Sequence, residues 1–200
     1  SKHHDGFALF DSAVSDFNVV KATPFKRDIV AEMAEACQKH GLKLGLYYSQ
    51  AQDWTHPGGA VSSFMKRWDS SQDGSFSDYV DKIAVPQVKE ILSKYGPISV
   101  IWWDTPQDMT PELAAKFQEA IAVQPEIIQN SRLISSNPGD FRVFEGAIPF
   151  SGAPGTPWEA CVMMNESWGY SRVHPHWATK EKVIRQVVQT ASLGGNLLLN

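Results

Sequence analysis

The chain switches repeatedly between two hydrophobic periods. In residues 26–39, Ile29, Val30, Met33, Ala36 and Cys37 recur at helical spacing. Pro24 and the charged Asp28 suit the start of that helix, and His40-Gly41 suits its stop, with glycine just beyond the last turn. Residues 42–48 (LKLGLYY) then read as a buried strand, followed by a polar, Gly/Pro-bearing loop over 49–74. The unit recurs. Residues 76–94 predict a helix stopped by Tyr95-Gly96-Pro97, and 98–103 predict a strand. Residues 110–123, opened by Thr110-Pro111-Glu112, predict a helix, and 126–130 a short strand. The Gly/Pro-rich stretch 137–157 reads as a long mobile loop. Residues 158–163 read as a strand, 179–193 as a helix capped by Thr179 and stopped by Gly194-Gly195, and 196–199 as a last strand.

Strands alternating with helices argue for a parallel α/β sheet of βαβ units, and strands apolar on both faces fit burial between helix layers. An open doubly wound sheet and a closed (β/α)8 barrel both satisfy this order. No G-x-G-x-x-G or P-loop follows any strand, and polar and aromatic residues collect just beyond the strand C-termini. Those ends converge on one mouth in a barrel, which favours a TIM-type (β/α)8 fold. Five strands, plus a strand end before Lys2, predict a barrel incomplete at its N-terminal side, with the first two to three βα units upstream. Residues 1–200 are read as one partial catalytic domain.

Composition narrows the chemistry. A net charge of −4 without a Lys/Arg-rich run disfavours a nucleic-acid partner. No apolar run is long enough to span a membrane. Cys37 and Cys161 supply neither a disulfide framework nor metal-ligand spacing. Seven tryptophans suit a carbohydrate ligand, whose apolar faces stack on flat rings.

The strand ends carry the candidate chemistry. They offer His3-His4-Asp5, then Tyr47, Tyr48, Ser49, Asp53, Trp54 and His56, then Trp102 and Asp104. Asn130, Arg132, Asp140 and Glu145 follow, then Glu159, Glu166 and Trp168. No G-x-S-x-G elbow or H-E-x-x-H pair is present. Two carboxylates at an aromatic-lined mouth suit glycoside hydrolysis, one ionised and one protonated. Alternation along a strand places Trp102 beside Asp104 and turns Trp103 toward the helices. An aspartate after a strand also serves as a helix cap, and the local pattern alone does not choose between the two roles. Neighbouring His3 and His4 on a strand would point to opposite faces, so neither a metal nor another cofactor is expected.

The segments KHHDGFALF, SDFNV, KRDIVAEMAEACQKHGLKLGLYYS, DWTHP, VPQVKEILSKYGPISVIWWD, GDFRVFE, PWEACVMMNESWGY and GGNLLLN, in this order, resemble the α-L-fucosidases of glycoside hydrolase family 29. The resemblance implies a (β/α)8 catalytic domain and a retaining, double-displacement mechanism through a covalent fucosyl-enzyme. It makes Asp104, of the W-x-D motif, the nucleophile. His3 and His4 match the paired histidines that bind fucose hydroxyls. Tyr47 or Tyr48 matches the sugar-site tyrosine, and Tyr47 is preferred because it shares a face with Gly45. Trp102 lines the site, Arg132 matches a site arginine, and Trp168 matches the aromatic packed against the apolar side of fucose. Glu145 stands where the family commonly places its acid/base, although Val143-Phe144 replaces the usual Thr-Pro. Glu159 is the rival, with Glu166 and Asp140 behind it. The implied partner is a fucosylated oligosaccharide or glycoconjugate, the implied compartment secreted, periplasmic or lysosomal, and a homo-oligomer is compatible. The competing readings are an inactive or lectin-like fucose-binding barrel and a different retaining glycosidase.

Overall fold

A computed structural model of the chain describes residues 1–59 and 67–200. Residues 60–66 of the predicted 49–74 loop lie outside the described residues. The chain forms two compact units, Ser1–Asn137 and Pro138–Asn200.

In the first unit, β1 (Gly45–Ser49), β2 (Val100–Asp104) and β3 (Ile128–Gln129) form a parallel sheet in that order. The helices are α1 (Val19–Ala22), α2 (Ile29–Lys39), α3 (Phe76–Tyr79), α4 (Val85–Lys94) and α5 (Pro111–Ile121). The predicted 26–39 helix starts late because Lys26 takes φ 57°, a left-handed conformation that no helix continues through. Asp28 then caps α2 by accepting the Ala31 N–H at 2.9 Å. The predicted 76–94 helix is present but widens into a π-helical turn over Val80–Ala84. Pro86 explains this: it lacks an N–H and its ring crowds the carbonyl four residues back, so the extra residue in the turn relieves the clash. The one-turn α1 and a 3₁₀ turn at Ser70–Gln72 escape the pattern because neither completes a hydrophobic period.

The core of this unit lies between sheet and helices. Trp103 and Phe117 are fully buried and meet edge-on at 5.5 Å, joining β2 to α5. Tyr48 is equally buried, and its hydroxyl donates to Gln87 Oε1 of α4 at 2.7 Å.

In the second unit, β4 (Arg142–Glu145), β5 (Trp158–Val162) and β6 (Asn196–Leu199) form a second parallel sheet, with α6 (Lys180–Ser192) before β6. Thr179 caps α6 by accepting the Lys182 N–H at 3.2 Å. Gly195 is obligatory, since a Cβ there would lie 2.3 Å from the Trp158 ring. The 137–157 stretch is not simply a loop: it contains β4. Arg-Val-Phe-Glu carries only two apolar residues, and its strand identity comes from pairing, Arg142 with Trp158 through Glu145 with Cys161. Glu145 therefore ends a strand rather than riding on a mobile loop.

Candidate active site

Parallel pairing settles which side chains share a face. The register Gly45↔Val100, Tyr47↔Trp102, Ser49↔Asp104 puts these six residues on one face of the first sheet and Tyr48 and Trp103 on the helix-covered face. The Tyr47 hydroxyl donates to Asp104 Oδ2 at 2.6 Å, and its ring stacks on Trp102 with centroids 5.7 Å apart. The Arg132 guanidinium donates to Asp104 Oδ1 and lies over the Trp102 ring, 5.5 Å from its centroid. Asp104 thus faces a full positive charge on one oxygen and a hydroxyl on the other, and its side chain stays 13% exposed.

The two histidines stand together, against the expectation of opposite faces. Lys2 bridges Tyr48 in parallel and Ala8 in antiparallel, and the chain then turns, with the Gly6 N–H donating to the His3 carbonyl at 3.1 Å. Strand alternation ends at Lys2, so the rings come to 4.0 Å between centroids. His3 stacks on Tyr47 at 5.6 Å. His4 Nδ1 meets Ser49 Oγ at 2.7 Å, and its Nε2 lies 3.6 Å from Asp104 Oδ2. Burial, with His3 alongside, pulls His4 down to about 4, outweighing the attraction of Asp104. Burial also lowers His3. Two neutral imidazoles each combine a donor and an acceptor, which suits sugar hydroxyls.

His3, His4 and Asp104 offer ligand atoms within 4.8 Å of one another, a grouping able to reach one metal ion. The argument from opposite faces therefore fails. The chemistry of the donor set still fits a metal poorly: both Asp104 oxygens are already bonded, one of them by a cation whose charge would repel another.

Beneath the histidines lies a buried ion pair. Lys2 Nζ donates to Gln52 O at 3.0 Å and Tyr79 Oη at 2.8 Å, and sits 3.4 Å from Asp53 Oδ2. His56 Nδ1 is 2.8 Å from the same carboxylate oxygen. The two partners respond differently. Burial lowers Lys2 despite its partner, whereas at Asp53 the opposing effect of burial is overcome by Lys2 and His56, which hold the carboxyl well below its usual range. The Trp54 N–H donates to the His4 carbonyl at 2.8 Å, so this network supports the turn that presents the histidines.

Two amide side chains complete the end of β2. Asn130 Oδ1 accepts the Trp103 N–H at 3.1 Å and its Nδ2 donates to the Trp103 carbonyl at 2.9 Å. Gln50 Oε1 accepts the Asp104 N–H at 3.0 Å. Asn130 is visible in the sequence as a strand-end residue. Gln50 is not singled out by any motif, and the only available signal is its place immediately after a buried strand.

His3, His4, Tyr47, Trp102, Asp104 and Arg132 are thus gathered in the first unit. Glu145, Glu159 and Trp168 belong to the second. There, Val143, Glu145, Glu159 and Cys161 share one sheet face, with Glu145 at the C-terminal end of β4 and Glu159 near the start of β5. Glu145 is exposed, Glu159 half-buried, and Trp168, in the β5–α6 connection, 41% exposed. Asp140 is exposed ahead of β4, and Glu166 pairs with His174 at 3.3 Å.

A carboxylate at the end of a parallel strand, flanked by stacked aromatics, neutral histidines and an arginine, is an arrangement that suits the chemistry of the glycoside hydrolase class. The alpha-L-fucosidase family model matches residues 1–200, and the chain belongs to that family. It is 34% identical to the plasma α-L-fucosidase of Rattus norvegicus over 218 residues, covering all of this chain and 44% of that protein. It is 31% identical to a putative α-L-fucosidase of Caenorhabditis elegans, covering 42% of it. Among solved structures, an α-L-fucosidase from Lactobacillus casei in complex with α-L-fucose product matches the whole chain at 37% identity with a TM-score of 0.87, over 65% of its own length. One from Vibrio sp. strain EJY3 matches at 31% and 0.89, over 36% of its length. The chain spans less than half the length of these curated relatives.

Proposed function

We propose that the protein containing this chain hydrolyses terminal α-linked L-fucose from oligosaccharides or glycoconjugates with retention of configuration. The observation that carries this reading is the environment of Asp104, held between Tyr47 and Arg132 beside two neutral histidines. In the first step an Asp104 oxygen attacks the anomeric carbon while the Glu145 carboxyl gives its proton to the departing glycosidic oxygen. In the second step Glu145 accepts a proton from water, the water oxygen bonds the anomeric carbon, and the bond to Asp104 breaks. His3, His4 and Arg132 bind sugar hydroxyls, Tyr47 steadies the nucleophile, and Trp102 and Trp168 line apolar parts of the sugar.

Strand position favours Glu145 over Glu159. Barrel active sites form at strand C-termini, and Glu145 ends β4 whereas Glu159 lies two residues before the β5 partner of Glu145. Membership of the α-L-fucosidase family supports a single (β/α)8 catalytic domain. Among the described residues no helix is long and apolar enough to cross a membrane. The resemblance to plasma and tissue fucosidases supports a secreted, periplasmic or lysosomal setting.

The test uses the full-length protein and 4-nitrophenyl α-L-fucoside. Release of 4-nitrophenol is expected, and Asp104→Ala is expected to abolish it while fucose binding survives. Azide should rescue Asp104→Ala with β-fucosyl azide as product and Glu145→Ala with α-fucosyl azide. The α-azide arising from Glu159→Ala alone would transfer the acid/base role to Glu159. Binding of fucose without turnover in the parent would make the protein a lectin-like binder.

A further inference from the structure

Tyr47 and Arg132 hold the carboxylate of Asp104, but neither holds the backbone beneath it. The β1–β2 pairing ends at Ser49↔Asp104, and β3 ends at Gln129. At and past these ladder ends the Asp104 N–H and the carbonyls of Arg132 and Leu133 draw on a side chain for hydrogen bonds. One side chain supplies all three. Gln50, the residue after β1, is fully buried; its Oε1 accepts the Asp104 N–H at 3.0 Å, and its Nε2 donates to the Arg132 carbonyl at 2.7 Å and the Leu133 carbonyl at 3.2 Å. A closed circuit results. Asp104 meets Arg132 through carboxylate and guanidinium, and the same two residues meet again through their backbones and the Gln50 amide.

The next residue shows why the hold matters. Thr105 adopts φ 54°, a left-handed conformation unfavourable to a β-branched residue. Its N–H donates to Asp104 Oδ1 at 2.8 Å. Backbone strain of this kind persists only where the surroundings over-determine it.

We propose that Gln50 is a positioning residue that sets Asp104 against Arg132 for attack on the sugar. The proposal rests on the fucosidase reading above. The informative variant is Gln50→Glu in the full-length protein. An ionised Glu can still accept the Asp104 N–H, but it offers no hydrogen to the two carbonyls and adds a second negative charge beside Asp104. Once protonated, it regains one donor and loses the charge. Turnover of 4-nitrophenyl α-L-fucoside by Gln50→Glu is therefore expected to fall about 100-fold in kcat at pH 7, the scale of a ~1 Å misplacement. The variant-to-parent ratio is expected to recover by about tenfold as pH falls toward 5. Fucose affinity by calorimetry should change by less than about threefold, because the loss belongs to the attack rather than to ground-state binding. A kcat near the parent's, a ratio flat with pH, or parallel losses of kcat and fucose affinity each overturns the proposal. An inactive parent overturns the fucosidase reading and the Gln50 role together, whereas an active parent with a fully active Gln50→Glu overturns the Gln50 role alone. Hydrogen exchange on the parent needs no variant to fold: the Asp104 amide should be protected, and exchange at the open-solvent rate rules the clamp out.

Discussion

Lys2→Met replaces a buried cation with a side chain of similar length and no charge. Lys2 is 1% exposed, and the substitution removes its bonds to the Gln52 carbonyl and the Tyr79 hydroxyl and its ion pair with Asp53. Removing one partner of a buried pair costs about 3–5 kcal/mol, because the other charge stays buried. Asp53 retains compensation: His56 Nδ1 at 2.8 Å, and donors on Oδ1 from the Thr55 N–H, the Thr55 hydroxyl and the His56 N–H at 2.9–3.1 Å. That places the ion-pair cost near the lower limit, about 3 kcal/mol. The stranded carbonyl and hydroxyl add about 1–3 kcal/mol, and burial of the methionine thioether returns about 1 kcal/mol. The net expectation is a loss of about 3–5 kcal/mol. Urea unfolding of the full-length protein at pH 7 measures it, and a double-mutant cycle with Asp53→Asn isolates the coupling, expected at about 1–3 kcal/mol. The pH dependence has a defined sign. The folded Asp53 carboxyl lies below its unfolded value of 3.8, so its contribution is present above about pH 4 and is lost as pH falls below that. The gap between parent and variant should narrow there. A loss below about 1 kcal/mol, or strict additivity with Asp53→Asn, would refute the idea that this charge pair carries the histidine turn.

Three further outcomes follow from individual contacts. Gly6 has φ 82°, and a Cβ there would meet Asp53 Oδ1 at 2.2 Å, so Gly6→Ala should lower stability by about 2–4 kcal/mol in urea unfolding; a change under about 0.5 kcal/mol would contradict the close packing. Tyr47→Phe removes only the hydroxyl bonded to Asp104. It should cut kcat about 10- to 100-fold while leaving the thermal midpoint nearly unchanged, and a parent-like rate would dismiss the bond as catalytically idle. The His4 ring should titrate by NMR with a midpoint of about 4, as burial dictates. Its folded value lies below the unfolded 6.5, so the stability gained by keeping it neutral is complete above that pH and lost as pH falls toward 4. His4→Gln should flatten that part of the stability profile, and a His4 midpoint near 6.5 would count against its burial.

What the sequence made legible depended on how far away each cause lies. Helix α2 and helix α6 follow from side chains within one or two turns, including the caps at Asp28 and Thr179, and their predicted ends were wrong by at most three residues at α2 and by one at α6. Local alternation also separates Tyr47 from Tyr48, whose hydroxyls donate to Asp104 and Gln87 respectively. Features set by a partner distant in the chain were hidden. The short strand β4 exists because β5 offers it a ladder, which no pattern in Arg142-Val143-Phe144-Glu145 announces. His3 and His4 meet because bridges from Lys2 to Tyr48 and Ala8 end the strand before them. Gln50 matters because the β1–β2 ladder ends at Asp104 and the β2–β3 ladder at Gln129, so backbone groups of Asp104, Arg132 and Leu133 turn to its amide.

The two glutamates mark where these two kinds of cause separate. Motif and spacing leave both Glu145 and Glu159 as carboxylates near an aromatic, and local chemistry alone could favour Glu159, since Trp158 adjoins it in sequence. Register separates them. Both lie on the same sheet face, but Glu145 pairs with Cys161, two residues beyond Glu159 and so about 7 Å further toward the strand C-termini. Trp158, being an odd step from Glu159, lies on the opposite face, where it packs edge-on against Phe144 at 5.8 Å. Trp158 therefore lies on the other sheet face from Glu159, and its adjacency in sequence is no argument for the rival carboxylate.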